Sequence, residues 1–166
     1  MADQDKGKLG HLDPSQCALF VCDIQEKLEK SIELFPLVVS NTEKLVKAAT
    51  LFKIPILVTE QYPKGLGATV LPIQKLLDTD VKIFEKTQFS MVTPDVQQWL
   101  NSRPSIKTVL LCGLETHVCV NSTIIDLLHA KYNASIFPIV SIIENSKIER
   151  GRAHLSLTLL VLIQSN

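Results

Sequence analysis

One stretch of the chain, residues 108–119, carries a cysteine in a setting that suits a nucleophile. An apolar run and Gly113 come first, which predicts a strand that turns into a helix whose first turn holds Cys119. A thiol in that turn faces unpaired backbone N–H groups and the positive end of the helix dipole. Both favour the thiolate, which is the nucleophilic form of cysteine. The stretch therefore predicts a site that attacks a carbonyl carbon.

An acid and a lysine follow two other apolar runs. Asp23 comes directly after the run Cys17–Cys22, and Lys86 comes shortly after residues 81–84. In a parallel sheet the carboxyl ends of the strands meet at one edge, where ligands bind. We therefore expect Asp23, Lys86 and Cys119 to lie together at that edge. Asp23 would accept the thiol proton, and Lys86 would stabilise both anions by its charge.

The rest of the chain alternates apolar runs with amphipathic segments. This pattern predicts a three-layer α/β/α fold, with helices on both faces of a mostly parallel, Rossmann-like sheet. Strands are expected at residues 17–22, 54–59, 81–84, 108–112 and 134–140. Helices are expected from Pro36 to Phe52 and at residues 71–77, 94–102, 117–131 and 147–163, and a loop at residues 60–68. Residues 1–15 are expected to form a flexible N-terminal arm before a single domain over residues 16–166.

Composition and charge argue against several classes of protein. The chain has 17 basic and 17 acidic residues, so it has no electrostatic footprint for nucleic acid. Its longest strongly apolar stretch, residues 155–163, is too short to cross a membrane. The polar N-terminus lacks the pattern of an export signal, so a cytoplasmic protein with free cysteines is expected, with a mitochondrion or another organelle as the alternative.

Some neighbours of these residues admit two interpretations. His117 lies two positions before Cys119, an offset that points helical side chains in different directions, so a His–Cys dyad is disfavoured. The spacing of Cys112, His117 and Cys119 matches no standard zinc framework. Polar or aromatic residues near the strand ends either line a substrate pocket or form ordinary loops and packing; the pocket interpretation assigns Gln25, Glu60, Gln61, Tyr62, Phe89 and Thr116 to it.

Four segments, in this order, resemble the motifs of the isochorismatase-like cysteine hydrolases, a superfamily that includes nicotinamidases, and especially of its small eukaryotic isochorismatase-domain members. The segments are Phe20-Val-Cys-Asp-Ile-Gln25, Val58-Thr-Glu-Gln-Tyr-Pro63, Phe84-Glu-Lys-Thr-Gln-Phe-Ser90 and Leu111-Cys-Gly-Leu-Glu-Thr-His-Val-Cys-Val120. The resemblance extends over roughly residues 17–140. It implies an Asp-Lys-Cys triad, carried here by Asp23, Lys86 and Cys119, and a homo-oligomer.

The resemblance also implies an oxyanion hole built from backbone N–H groups. These donors would come from Leu114, Glu115 and Cys119, turned toward the substrate by a non-proline cis peptide bond at Leu114–Glu115. Such a bond costs about 3 to 4 kcal/mol and persists only where the fold enforces it.

Two segments depart from the family pattern. Nicotinamidases hold a metal with an Asp and histidines just after the second strand, whereas residues 59–67 here contain no histidine. The metal site is therefore expected to be missing, and no cofactor is expected. From Ser141 onward the tail also differs, which predicts a C-terminal strand that is missing or altered. The exposed edge left by that change would favour a partner chain.

Together these features predict a metal-independent cysteine hydrolase that acts on a small amide, ureido or ester substrate through a thioester-type covalent intermediate. Its partner would be a small molecule, with no nucleic acid and no membrane. The alternative is a catalytically inactive protein of the same fold that serves as a scaffold or binding partner, which the altered tail favours.

Overall fold

The structure is a computed structural model that describes residues 12–32, 34–114 and 116–142. Its strands are β1 (Cys17–Cys22), β2 (Ile56–Gln61), β3 (Ile83–Lys86), β4 (Thr108–Leu114) and β5 (Asn133–Ile142). They form one sheet in the order β3-β2-β1-β4-β5, and every pair in it is parallel. The predicted α/β fold with a parallel, Rossmann-like sheet is confirmed.

Helices cover both faces of this sheet. They are α1 (Phe35–Leu51), α2 (Pro63–Leu66), α3 (Leu71–Gln74), α4 (Pro94–Asn101) and α5 (Asn121–His129), with a π-helical turn (Thr116–Val120) directly before α5. One core lies under α1 and α3, and a second lies under α4 and α5. Every residue of β1 is buried because this central strand has helices on both sides, which explains its uninterrupted apolar run.

Helix α1 follows the predicted pattern in its body and departs from it at its end. Pro36 lies in the first turn, where its missing N–H group costs nothing, and Val38 and Ala49 lie on its buried face. Phe52, predicted to be the last residue of the helix, is 59% exposed. It caps the helix rather than belonging to it, so the helical spacing no longer aims its ring at the core.

Helix α4 begins at Pro94, as the sequence predicts. Thr93 caps the helix by accepting a hydrogen bond of 3.3 Å from the backbone N–H of Val96, and Pro94 occupies the first turn. This cap fixes the residue at which α4 begins after the segment that follows β3.

The loop predicted at residues 60–68 is wrong. Strand β2 continues through Gln61 because Glu60 and Gln61 pair with Glu85 and Lys86 of β3. The short helix α2 then begins at once, since a proline is tolerated in a first helical turn. Strands β2 and β3 both begin and end two residues later than predicted. Lys86 is consequently the last residue of β3, whereas the sequence placed it beyond the end of that strand.

The segment before Cys119 also differs from the prediction. Strand β4 runs to Leu114, and Cys119 lies in the π-helical turn rather than in the first turn of an α-helix. Gly113 allows this extension because its φ is 155° and a Cβ there would collide with the carbonyl oxygen and Cβ of Cys22. The glycine is needed for close approach between β4 and β1 and does not form a turn.

Strand β5 contains position 138, a proline, within its span. The strand lies at one edge of the sheet that the described residues form, where a missing donor is tolerated. The predicted helix at residues 147–163, the altered C-terminal strand and most of the arm at residues 1–15 lie outside the described residues.

Candidate active site

The three candidate catalytic residues lie along the carboxyl edge of the sheet. The strand order reverses between β1 and β4, and this reversal is where ligands bind in open parallel sheets. Asp23 directly follows β1, Cys119 lies in the π-helical turn that follows β4, and Lys86 ends β3. The acid and the cysteine thus flank the point where the order reverses.

Asp23 is held by side chains from two neighbouring strands. It adopts a left-handed φ of 54°, and its backbone N–H donates to the carbonyl oxygen of Thr59 at 3.2 Å. Its Oδ1 accepts a hydrogen bond of 2.7 Å from the Thr59 hydroxyl, and its Oδ2 lies 2.6 Å from Lys86 Nζ. Asp23 is only 4% exposed, so these partners replace the water that a buried carboxylate would lose.

The ammonium group of Lys86 is surrounded by oxygen atoms. Besides Asp23 it meets Gln61 Oε1 at 2.7 Å and the carbonyl oxygens of Phe89 at 2.9 Å and Gln88 at 3.2 Å. An ammonium has three protons, so these four acceptors use its full donor capacity. A buried charge is tolerated when it is paired and hydrogen-bonded in this way. Lys86 is therefore a fixed cation inside the site, since its side chain is fully buried.

Two glutamines predicted to line the pocket help to build this arrangement. Gln61 accepts from Lys86 through Oε1 and donates through Nε2 to the carbonyl oxygen of Thr87 at 3.0 Å. Gln25 is fully buried and bonds both backbone groups of Gln61, accepting from its N–H at 2.8 Å and donating to its carbonyl oxygen at 3.0 Å. It also donates to the carbonyl oxygen of Gly67 at 2.7 Å. Gln25 thus fixes the end of β2, and Gln61 fixes Lys86.

Glu60 lies apart from these residues although it is next to Gln61 in the chain. Successive strand residues point to opposite faces, so Glu60 projects from the face that carries α1. Its Oε1 accepts hydrogen bonds from the backbone N–H and the hydroxyl of Thr69, at 2.6 and 2.8 Å. The structure therefore does not bring Glu60 together with Lys86.

A cleft of about 450 Å³ opens beside Lys86. Its wall consists of Tyr62, Pro63, Lys64, Glu85, Lys86, Thr87, Gln88, Thr93 and Pro94. Tyr62 is 55% exposed and adopts a left-handed φ of 38° at the start of α2. Phe89 supplies its carbonyl oxygen to Lys86, while its side chain is 60% exposed. Of the aromatic residues predicted for the pocket, Tyr62 is the one that lines this cleft.

A second cysteine, Cys22, lies in the same buried cluster as Cys119, which is itself almost completely buried. Hydrogen bonding to the Cys119 side chain, followed by burial and the negative charge of Asp23, raises the pKa of the Cys22 thiol well above its ordinary value, although Lys86 acts in the opposite direction. Cys22 Sγ in turn donates to Asp23 Oδ2 at 3.4 Å. Direct contacts therefore join Lys86 to Asp23 and Asp23 to Cys22, and Cys22 shares its buried cluster with Cys119.

The predicted oxyanion hole is only partly described. Leu114 is the last residue of β4, and Thr116 begins the π-helical turn. Glu115 lies outside the described residues, as does the Thr116 side chain. The cis peptide bond at Leu114–Glu115 and the roles of these residues stay predictions.

Sequence reasoning did not assign three residues that contact the site. Thr59 pairs with Cys22 across the parallel β1–β2 register, which places its hydroxyl beside Asp23. Cys22 ends an apolar run, where a cysteine usually packs as a small buried hydrophobe. The Thr123 hydroxyl donates to the carbonyl oxygen of Cys119 at 2.6 Å. Of the three, Thr59 had a signal in the sequence, since a polar residue at the end of an apolar strand faces the same edge.

Other chemistry was considered at the same residues. His117 is exposed whereas Cys119 is buried, which disfavours a dyad between them. Across residues 12–32, 34–114 and 116–142, no group of three or more His, Cys, Asp or Glu side chains is arranged to hold a metal ion. No helix in this same part of the chain is long and apolar enough to cross a membrane.

Comparison with known proteins identifies the family of the chain. A family model described as the isochorismatase domain matches residues 17–137. The chain belongs to the isochorismatase-like hydrolase family. The predicted family is thereby confirmed.

Individual relatives extend the comparison. Isochorismatase domain-containing protein 2 of Xenopus laevis is 43% identical over 129 residues, which are 78% of this chain and 62% of that protein. A solved structure described as MAR1 ribonuclease from Caenorhabditis elegans is 39% identical, has a TM-score of 0.77, and is matched over 82% of this chain and 70% of its own. A cysteine hydrolase from Pseudomonas syringae pv. phaseolicola, 18% identical with a TM-score of 0.73, matches 84% of this chain and 79% of its own and shows the fold alone.

The chain spans about three fifths of the length of its curated relatives at 43–45% identity.

Proposed function

We propose that this protein is a cysteine hydrolase in which Asp23, Lys86 and Cys119 form a catalytic triad. It acts without a metal on a small amide, ureido or ester substrate. The observation that supports this proposal best is the buried ion pair of 2.6 Å between Lys86 and Asp23, at the sheet edge where Cys119 also lies. A buried pair of opposite charges costs desolvation free energy, and its position beside a thiol at the carboxyl edge of a parallel sheet is typical of a functional site.

In the first step Asp23 accepts the proton of the Cys119 thiol. The carboxylate is oriented for this by the Thr59 hydroxyl on one oxygen and by Lys86 on the other. As the proton moves, negative charge passes from the carboxylate to the sulfur, and the fixed ammonium of Lys86 stabilises both arrangements. Because Lys86 is already held by three further oxygen atoms, little reorganisation is needed during the transfer.

The second step forms a covalent intermediate. The Cys119 sulfur bonds to the substrate carbonyl carbon, and backbone N–H groups near the π-helical turn stabilise the oxyanion. The C–N or C–O bond then breaks, and the leaving group takes the proton from Asp23. Water next attacks the thioester while Asp23 accepts one of its protons, and breakage of the C–S bond releases the acid and restores the thiol.

The cleft beside Lys86 supports a small polar substrate. Its volume of about 450 Å³ is at the low end of the range for small-molecule sites. Lys64, Glu85, Thr87 and Gln88 give it charged and polar groups on several sides, and Tyr62 gives it one aromatic wall. We propose that the protein binds a small molecule and that it associates with further copies of the chain.

The test uses an activated ester, p-nitrophenyl acetate, as the probe. Rapid mixing followed by intact-mass analysis should show one acetyl group, and peptide mapping should place it on Cys119. Cys119→Ala and Asp23→Asn should each lose the burst of nitrophenol, whereas Cys112→Ala should keep it, because Cys112 is equally buried but belongs to the core under α1. Turnover at the wild-type rate by either of the first two variants would refute the triad.

A second measurement, the rate of alkylation of Cys119, separates the enzyme from an inactive scaffold. An activated thiolate reacts quickly with iodoacetamide at neutral pH, whereas an ordinary buried thiol is inert. Rapid and selective alkylation of Cys119 is the expected result, and inertness would favour the scaffold.

Cleavage of RNA is the second candidate, because a neighbour at 39% identity is described as a ribonuclease. Against it, the 17 basic and 17 acidic residues leave no net attraction for a phosphate backbone. We therefore expect labelled single-stranded RNA to show no salt-dependent binding and no cleavage. Cleavage that disappears in Cys119→Ala would make RNA the substrate instead.

A further inference from the structure

Gln25 is a buried amide side chain that takes no part in the proposed mechanism. It lies two residues after Asp23 and is fully buried. Its Oε1 accepts from the backbone N–H of Gln61 at 2.8 Å, and its Nε2 donates to the carbonyl oxygens of Gln61 at 3.0 Å and Gly67 at 2.7 Å. Because a carboxamide has two N–H bonds, these two carbonyl oxygens use its full donor capacity. Gln25 therefore acts on the backbone of the protein and has no donor left for a substrate.

At Gln61 the side chain of Gln25 takes the place of a neighbouring strand. The parallel pairing of β1 with β2 ends at Cys22 and Thr59, and the chain then turns at Asp23, whose φ is 54°. Gln61 lies two residues beyond that pairing, where β1 no longer runs beside β2. A carboxamide has the same kinds of donor and acceptor as a peptide group, so Gln25 continues the ladder of hydrogen bonds at this position.

The third hydrogen bond of Gln25 reaches the other side of helix α2. Gln61 precedes residues 62–66, which we call the α2 segment, and Gly67 follows them. Residues 62–64 of this segment line the cleft beside Lys86. Because a helix of four residues has little stability of its own, the position of the α2 segment depends on contacts at its two ends. Gln25 supplies a side-chain contact at each of these ends.

We propose that Gln25 is a positioning residue, which holds both ends of the α2 segment and thereby fixes one side of the substrate cleft relative to Lys86. This inference rests on the proposed function, because it takes the cleft as the substrate site. Lys86 itself depends less on Gln25. The three oxygen atoms that it meets besides Gln61 Oε1 match the three protons of its ammonium group. Loss of Gln25 should therefore weaken substrate binding more than activation of Cys119.

The first experiment measures trypsin cleavage of the intact protein after two exposed lysines, with the products identified by mass spectrometry. Lys64 lies in the α2 segment, and Lys53 lies in the turn after α1. Gln25→Met keeps the length of the side chain but removes its donors and its acceptor. Gln74→Met is the matched control, because Gln74 Nε2 donates to the carbonyl oxygen of Thr69 at 2.6 Å, beyond the α2 segment.

For Gln25→Met we expect cleavage after Lys64 to become about tenfold faster than in the wild type, because a segment that loses contacts at its ends opens more often. Cleavage after Lys53 should not change. Gln74→Met should follow the wild type at both lysines. If Gln25→Met does not fold, Gln25→Glu provides the test, since a carboxyl group keeps the shape of the side chain but lacks the two N–H donors.

The second experiment compares the KM for p-nitrophenyl acetate with the rate of Cys119 alkylation by iodoacetamide. In Gln25→Met the KM should rise by about tenfold while the alkylation rate stays within about twofold of the wild type, as expected when binding is lost and the reacting groups are intact. A residue that only supported the fold would not separate these two quantities. Gln74→Met should again follow the wild type.

Four results overturn the proposal, and each differs from failure of the triad. Unchanged cleavage after Lys64 in Gln25→Met shows that other contacts hold the α2 segment. Equal acceleration after Lys53, or in Gln74→Met, shows a general loss of stability. Faster cleavage with an unchanged KM shows that the α2 segment does not bind the substrate, and slower alkylation of Cys119 shows that Gln25 acts on the triad instead. Failure of the triad would appear as hydrolysis that persists in Cys119→Ala, and it would leave the cleavage result intact.

Discussion

The hydroxyl of Thr123 donates a hydrogen bond of 2.6 Å to the carbonyl oxygen of Cys119. The same oxygen of Thr123 accepts a hydrogen bond of 2.9 Å from the backbone N–H of Met91. Met91 lies two residues after Phe89, whose carbonyl oxygen binds Lys86. One buried hydroxyl therefore joins the turn that carries the proposed nucleophile to the segment that holds the proposed catalytic cation.

Removal of that hydroxyl should loosen both segments together. Thr123→Val keeps the shape of the side chain but leaves a buried N–H group of Met91 without its partner, which costs about 1–3 kcal/mol. We expect a loss of that size in the free energy of unfolding measured in urea, together with slower alkylation of Cys119. Thr123→Ser is the matched control and should keep both properties. An unchanged alkylation rate in Thr123→Val would mean that the turn is held by other contacts.

Thr59 should affect catalysis through its hydrogen bond with Asp23. Its hydroxyl donates to Asp23 Oδ1 at 2.7 Å, and a hydrogen bond to a charged group contributes about 1.5–3 kcal/mol. In Thr59→Val the carboxylate is free to rotate away from the thiol, so kcat/KM for p-nitrophenyl acetate should fall at least roughly tenfold. Thr59→Ser keeps the donor and should stay near the wild type. Equal activity of the valine and serine variants would show that Lys86 alone orients Asp23.

The position of the candidate site in the fold could be predicted from the sequence, whereas several of its contacts could not. Asp23 follows a fully apolar run, and the rule that parallel strands end at one edge then places it with Lys86. The sequence does not predict the face of the sheet toward which a side chain at a strand end points. This face depends on the register and on the last residue of the strand, so Glu60 and Gln61 were grouped together although they point to opposite faces.

Two further features depend on contacts between distant parts of the chain. A π-helical turn has no compositional signature. It differs from an α-helix in its hydrogen bonds, which join residues five apart rather than four apart along the chain. The sequence therefore predicted an ordinary helix around Cys119. Cys22 ends an apolar strand, where a cysteine usually packs as a small hydrophobe. Unlike Cys17 and Cys112, it lies in the buried cluster that also contains Cys119, which is distant along the chain.

Substitutions of Lys86 and Asp23 should have coupled effects on the free energy of unfolding, because the two side chains form an ion pair. Lys86→Met leaves a buried carboxylate without its cation, which destabilises proteins by about 3–5 kcal/mol. Adding Asp23→Asn removes the unpaired charge, so the double variant should be more stable than Lys86→Met alone. Lys47→Met, on the exposed side of α1, is the control and should change the free energy of unfolding by less than about 0.5 kcal/mol. Additive effects of the two substitutions would mean that the pair is not coupled.

Stability should also fall in alkaline solution because of the buried thiol of Cys112. Burial raises the pKa of this thiol from 9.0 to about 12 in the folded protein. Above pH 9 the unfolded chain releases the proton while the folded chain keeps it, so unfolding becomes more favourable as the pH rises. The contribution of the protonated Cys112 thiol to the free energy of unfolding is complete below pH 9 and is lost progressively up to about pH 12. The loss amounts to on the order of 4 kcal/mol over that window.

Urea unfolding at several pH values between 8 and about 11 should detect this loss. Cys112→Ala is less stable at pH 8, because it leaves a cavity, but its stability should decline less steeply with pH than that of the wild type. Cys22 continues to contribute in the variant, since its pKa is raised as well, so part of the slope should remain. Parallel curves for the two proteins would show that Cys112 ionises as readily in the folded chain as in the unfolded one.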